Sequence, residues 1–104
     1  MLGSCQSGNQ QEAEEREHNR TLSVLHRTNA KTAREHADFR TAITEADSAL
    51  LYAAAANDTI LLTMAHNELA TNFRRMGRME KALRFHYVAL DYAESYQDTC
   101  FQAR

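Results

Sequence analysis

Five histidines and two cysteines are the side chains of this chain best suited to hold a metal or attack a substrate. His26 and His66 stand forty residues apart, and His86 lies in a different predicted helix. No two histidines are four apart on one predicted helix, the spacing that lets one face grip a zinc ion. Cys5 and Cys100 are too distant for a disulfide framework, and Cys-x-x-Cys is absent. Glu12, Glu14, Glu15 and Glu17 interleave with Arg16 and read as a solvated helix start. There is no Gly-rich phosphate loop, no His-Glu-x-x-His and no Gly-x-Ser-x-Gly elbow. An enzyme needs a nucleophile, acid or base brought together in a pocket, and no sequence-local base accompanies Cys100. The expectation is a non-catalytic chain with no metal and no cofactor.

The elements that would position any site repeat. Ala49-Leu50-Leu51-Tyr52-Ala53 returns as Ala89-Leu90-Asp91-Tyr92-Ala93, and Asn57-Asp58-Thr59 returns as Gln97-Asp98-Thr99, a shift of forty residues. The same shift aligns Ala30 with Ala70, Arg34 with Arg74 and His26 with His66. Helical self-similarity at this period points to a solenoid of stacked hairpins, an architecture that mostly holds other proteins. Composition agrees with helix: no proline, three glycines, and abundant alanine over 104 residues. A formal net charge of −2 without a Lys/Arg run argues against nucleic acid. No apolar run approaches the roughly 20 residues of a membrane span.

Four helices are expected, over about 12–36, 39–56, 59–76 and 79–96, with a bend or late start of the first near Asn19-Arg20-Thr21. Asp58 and Asp98 stand where helices begin, and an Asp carboxylate there accepts from free backbone N–H groups; Asp38, followed by Phe39, makes the matching first turn without a glycine. Gly77 ends the third helix, in the left-handed conformation glycine adopts most easily. Turns this short force antiparallel neighbours. Leu61, Ala65, Leu69, Phe73 and Met76 form one stripe on the third helix. Met79, Ala82, Leu83, His86, Ala89, Leu90 and Ala93 form another on the fourth. Both read as hydrophobic core. The fold class is all-α: an antiparallel helix-hairpin solenoid of about two repeats. The hairpins are placed at 20–57 and 58–98, after a flexible N-terminal tether over 1–19. Residues 99–104 are read as the start of a truncated third unit, which would leave the last helix bare, with Leu90 and Tyr92 exposed.

Thr63 to Tyr96 resembles a tetratricopeptide repeat. The family's Leu-Gly pair falls on Leu69-Ala70, its mid-helix aromatic on Phe73 and its turn glycine on Gly77. Its signature alanines fall on Ala82 and Ala89, with an aromatic at Phe85. The early Trp is replaced by His66 and the closing Pro is missing, as suits a forty-residue variant. A weaker copy over about 23–56 keeps Ala30, Phe39, Ala42, Ala49 and Tyr52, but has Asn29 and Ala33 where Leu and an aromatic are expected. Phrases such as Asn72-Phe73-Arg74-Arg75-Met76-Gly77 resemble the N-terminal arrays of bacterial sensor kinases and helix-turn-helix regulators.

The resemblance implies a concave face built from the first helix of each hairpin. Carried over, it holds Arg27, Lys31 and Arg34 in the first unit and Asn67, Thr71, Arg74 and Arg75 in the second. Such a groove would be basic in a slightly acidic chain and would suit an acidic or C-terminal carboxylate peptide, with Arg gripping a carboxylate through two hydrogen bonds and Asn67 bonding to peptide backbone. The competing reading is a solvated face paired with Glu35 and Glu68. Leu2-Gly3-Ser4-Cys5 is similar to the end of a bacterial lipoprotein signal, which implies lipidation at Cys5 and an envelope location. The apolar stretch of about 7–15 residues that such a signal needs would have to lie upstream of Met1. Otherwise Cys5 is a free thiol on a frayed terminus and the chain is cytoplasmic. The expected function is a protein- or peptide-binding repeat module, the N-terminal fragment of a longer bacterial signalling or envelope protein. The rival readings are a scaffold that forms a homodimer through its last helix, and a ligand-binding helical bundle or enzyme.

Overall fold

Three turns of one geometry set the architecture. The first three helices are each followed by a residue with positive φ: Ala37 at 60°, Asn57 at 51° and Gly77 at 83°. They lie twenty residues apart. The next N–H reaches back to a carbonyl five residues earlier: Asp38 to Ala33 at 2.9 Å, Asp58 to Ala53 at 3.2 Å and Arg78 to Phe73 at 2.8 Å. The left-handed residue donates to a carbonyl three back, that of Arg34, Ala54 or Arg74, each at 2.9 Å. This is the Schellman closure, which satisfies carbonyls the helix end leaves free. The following helix starts at once. Asp38 accepts from the Thr41 N–H at 3.3 Å and Asp58 from the Leu61 N–H at 3.0 Å, as their capping positions require.

In this computed structural model the backbone is described for residues 10–102 and the side chains for residues 10–96. The helices are α1 (Gln10–Glu35), α2 (Phe39–Ala55), α3 (Thr59–Arg75) and α4 (Met79–Gln102). No strand occurs among the described residues. The fold is all-α: α1 pairs with α2, α3 pairs with α4, and the hairpins meet through α2 and α3, with α1 also touching α3.

Two expected boundaries change. Residues 10–19, expected either as polar tether or, from about residue 12, as the start of the first helix, are the first turns of an unbroken α1. Gln and Glu propagate a helix well, and no glycine or proline interrupts. At the other end no turn forms at Gln97-Asp98, and α4 runs on to Gln102 instead of yielding to a third unit. Asn57 tolerates the left-handed turn conformation. Gln97, at the matching place, is a better helix former and lacks the short side chain that favours that turn.

The core is built on alanine. Ala42, Ala46, Ala49 and Ala53 make up the buried face of α2, spaced to one side of a helix. Such small residues let α1 and α3 approach closely. Leu69, Phe73 and Ala82 close over Ala30 and Ala46, with Ile43, Leu50 and Phe85 packed against them. Phe73 stacks on Phe85 with centroids 5.5 Å apart. On the fourth helix the expected core stripe splits. Ala82 and Ala89 are buried, whereas Met79, Leu83 and Leu90 are each more than half exposed. Among the described contacts α4 packs only on α3, so one neighbour covers one side of a stripe wide enough for two. Tyr92, expected to lie bare, packs against His66 at 5.3 Å.

Candidate groove between the first helices of the two hairpins

The candidate site lies where α1 and α3 run side by side. Two ion pairs tie them. Arg34 Nη1 bonds to Glu68 Oε2, with side chains only 13% and 9% exposed. Arg20 Nε bonds to Asp58 Oδ2 at 2.8 Å, and its Nη1 lies 3.2 Å from Glu17. Partial burial works against the Arg20 charge, but the hydrogen bonds to Asp58 and Glu17 outweigh it and hold its pKa above the ordinary value. Asp58 therefore caps α3 and anchors α1 with one carboxylate. Since Arg20 sits level with the head of α3, residues 10–19 project beyond it by about 15 Å at 1.5 Å per residue.

Heptad spacing puts Arg20, Arg27 and Arg34 on one side of α1, with Val24 and Lys31 beside them. On α3 the spacing of three and four lines up Ile60, Met64, Asn67, Thr71 and Arg74. Near the head of α3 a cleft of about 420 Å³ opens between Glu17, Arg20, Thr21, Val24, Asp58, Ile60 and Leu61. Val24 and Ile60 are 42% and 48% exposed there, so this end of the groove is apolar at its surface. Toward the tail of α3 the groove turns cationic, with Lys31, Arg74 and Arg75 exposed.

The residues expected to share a face separate into free and engaged groups. Lys31, Arg74 and Arg75 form no ion pair or side-chain hydrogen bond among the described residues. Arg27 is half-buried, and its Nε is buried without a partner. Arg34 is engaged by Glu68, the acid that the competing reading paired with this face, but the pair is largely buried and not solvated; Glu35 is exposed. Asn67 is turned toward α4, its Oδ1 hydrogen-bonded to His86 Nδ1 at 3.1 Å. Thr71 is half-buried. Cys5 lies outside the described residues. The apolar cleft was not foreseen, although Val24 lies seven residues before Lys31 and Ile60 seven before Asn67. Extending both stripes by two turns would have found it.

His26 and His66 pack between the helices of their hairpins. His26 Nδ1 bonds to Glu45 Oε1 at 2.7 Å and its ring stacks on Tyr52 at 5.4 Å. His66 lies tilted against Tyr92, with centroids 5.3 Å apart, and bonds through Nδ1 to the Leu62 carbonyl at 2.8 Å. Among the described residues no group of three or more His, Cys, Asp or Glu could hold a metal ion, and no helix is long and apolar enough to cross a membrane. No protein-family model matches the chain, and no curated protein or solved structure is significantly similar to it.

Proposed function

We propose that this chain is a tetratricopeptide-like repeat module that holds an acidic peptide segment of a partner protein in the groove between α1 and α3. One observation carries the reading. Arg27, Lys31, Arg74 and Arg75 have no ion-pair partner among the described residues, while Asp58 and Glu68 are already taken by Arg20 and Arg34. Uncompensated cations along one groove attract carboxylates and steer their approach. Two further facts support the resemblance: the turns recur at half the forty-residue period, and the first helices of the two hairpins are adjacent. The Val24–Ile60 end offers an apolar seat beside the cations, so the preferred segment combines acidic residues with an aliphatic one.

The test is a fluorescence titration with a Glu- and Asp-rich peptide bearing one Leu, against a Lys-rich peptide of equal length. The acidic peptide binds, and its affinity falls as salt rises. The double variant Arg74→Glu, Arg75→Glu loses binding while its helical circular dichroism is unchanged. Unchanged affinity in that variant discards the groove.

A further inference from the structure

We propose that copies of this chain stack end to end, α4 of one molecule packing on α1 of the next as α2 packs on α3 within the molecule. The forty-residue shift that relates the hairpins also relates two surfaces left uncovered at opposite ends of the fold. On α2, Ile43 and Leu50 pack against the cluster that contains Leu69 and Phe73 of α3. Their counterparts on α4 are Leu83 and Leu90, 51% and 53% exposed, and half-buried Phe39 corresponds to Met79, 52% exposed. This end of the molecule repeats the side of α2 that α3 covers.

The other end repeats the covering side. Leu62, Ala65, Leu69 and Phe73 of α3 are buried, and a shift back by forty residues lands on Leu22, Leu25, Asn29 and Ala33 of α1. Leu25 is 51% exposed, Asn29 is exposed, and Leu22 and Ala33 are half-buried. The two bare faces are thus the two halves of an interface the molecule already builds once, and a second copy brings the missing half to each. Charge permits the contact: α1 carries no acid between Leu22 and Ala33, so exposed Asp91 and Glu94 of α4 meet no like charge on that stretch. Asn29 and Ala33 bury less apolar surface than Leu69 and Phe73, which makes the contact between molecules weaker than the one within. A head-to-tail contact leaves one face free at each end of a pair, so growth continues past the dimer, to a ring where the rotation closes or to a filament where it does not. This proposal does not depend on peptide binding.

Light scattering or sedimentation across a wide concentration range tests it. The unaltered chain gains mass beyond a dimer as concentration rises. Leu25→Glu and Leu90→Glu each stay monomeric alone, because each has lost one of the two faces. Mixed together they form a one-to-one heterodimer and stop, since only one intact pair of faces remains. Both side chains are more than half exposed, so helical circular dichroism is retained; if either variant unfolds, Asn29→Glu and Leu83→Lys serve for the same two faces. A strictly monomeric parent chain overturns the proposal. So does a mixture that stays monomeric, or a Leu25→Glu variant that dimerises with itself, which would mean α4 pairing with α4.

Discussion

The two hairpins repeat one backbone path but contribute different side chains to the core they share. Their turns have the same hydrogen bonds, and each places a histidine of its first helix against a tyrosine of its second. Inside, they differ. The first hairpin closes with small residues and polar ties: the Ser23 hydroxyl donates to the buried Ala49 carbonyl at 2.8 Å, and Glu45 bonds to His26 and Asn29. The second closes with Leu62, Leu69 and the Phe73–Phe85 stack. The difference follows from position. α3 has packed neighbours in α1, α2 and α4, whereas α1 has them in α2 and α3, so large apolar side chains on α3 gain the most from burial. What recurs at forty residues is therefore the path of the chain, and the core chemistry is set by how many neighbours each helix has.

Removing the ring at the junction breaks this contrast most severely. Phe73 is 6% exposed and belongs to the cluster spanning both hairpins. Phe73→Ala is expected to cost about 3–5 kcal/mol, read from urea denaturation with both hairpins melting together. The matching position in the first hairpin is Ala33, already small. At Leu69 and its counterpart, Leu69→Ala is expected to cost about 2–5 kcal/mol, and Asn29→Ala, at an exposed site with one long hydrogen bond to Glu45, no more than about 1 kcal/mol. Equal losses at the two positions would refute the idea that neighbour number decides the core.

Asn72 sharpens the comparison in the opposite direction. It is 0% exposed, and neither its amide nitrogen nor its oxygen has a partner. An unsatisfied buried polar group costs about 1–3 kcal/mol. Asn72→Leu keeps the branching of the side chain while replacing the amide by two methyls, and is expected to stabilise the protein by up to about 1 kcal/mol in the same denaturation assay, reduced by the packing cost of the larger methyls. A loss greater than the roughly 1–3 kcal/mol that overpacking costs would mean the amide is satisfied in solution.

The turns offer a smaller, paired test. A Cβ at Gly77 meets nothing within 4 Å, so Gly77→Ala carries only the left-handed backbone strain of about 1–2 kcal/mol. Ala37 already bears that strain at φ 60°, and Ala37→Gly should recover up to about 1 kcal/mol, reduced by the greater freedom of glycine when unfolded. Thermal melts of the two variants should shift in opposite directions.

The smallest effect concerns acid. The hydrogen bond to His26 holds the Glu45 carboxyl below the usual range, with burial opposing and Asn29 adding to the lowering. A depressed carboxylate contributes stability above its unfolded value of about 4.3. That contribution is lost as pH falls through the folded value. Glu45→Gln should therefore lower the melting temperature slightly at neutral pH and flatten its decline below about pH 4.3. A decline as steep as that of the parent chain would remove Glu45 from the acid response.

Much of the helical frame could be read from local signals. Asp38, Asp58 and Gly77 mark the turns they occupy, because a cap or a left-handed residue acts within a few positions along the chain. Ala37 carries no such signal, since its conformation is imposed by the turn around it. The groove was partly legible. The family resemblance points to the first helix of each hairpin as the groove's walls, but the ion pairs cross between helices and depend on how α1 and α3 are set against each other.

The amino-acid sequence alone determined four helices, their antiparallel connection and the forty-residue repeat. These follow from backbone terms summed over neighbouring residues. Only the tertiary structure decided that Arg34 is consumed by Glu68, that Asn72 is sealed without a partner, and that the stripe on α4 is covered along one side. Burial depends on which helix arrives at a surface, and identical spacing on α2 and α4 does not distinguish a face with a neighbour from one without.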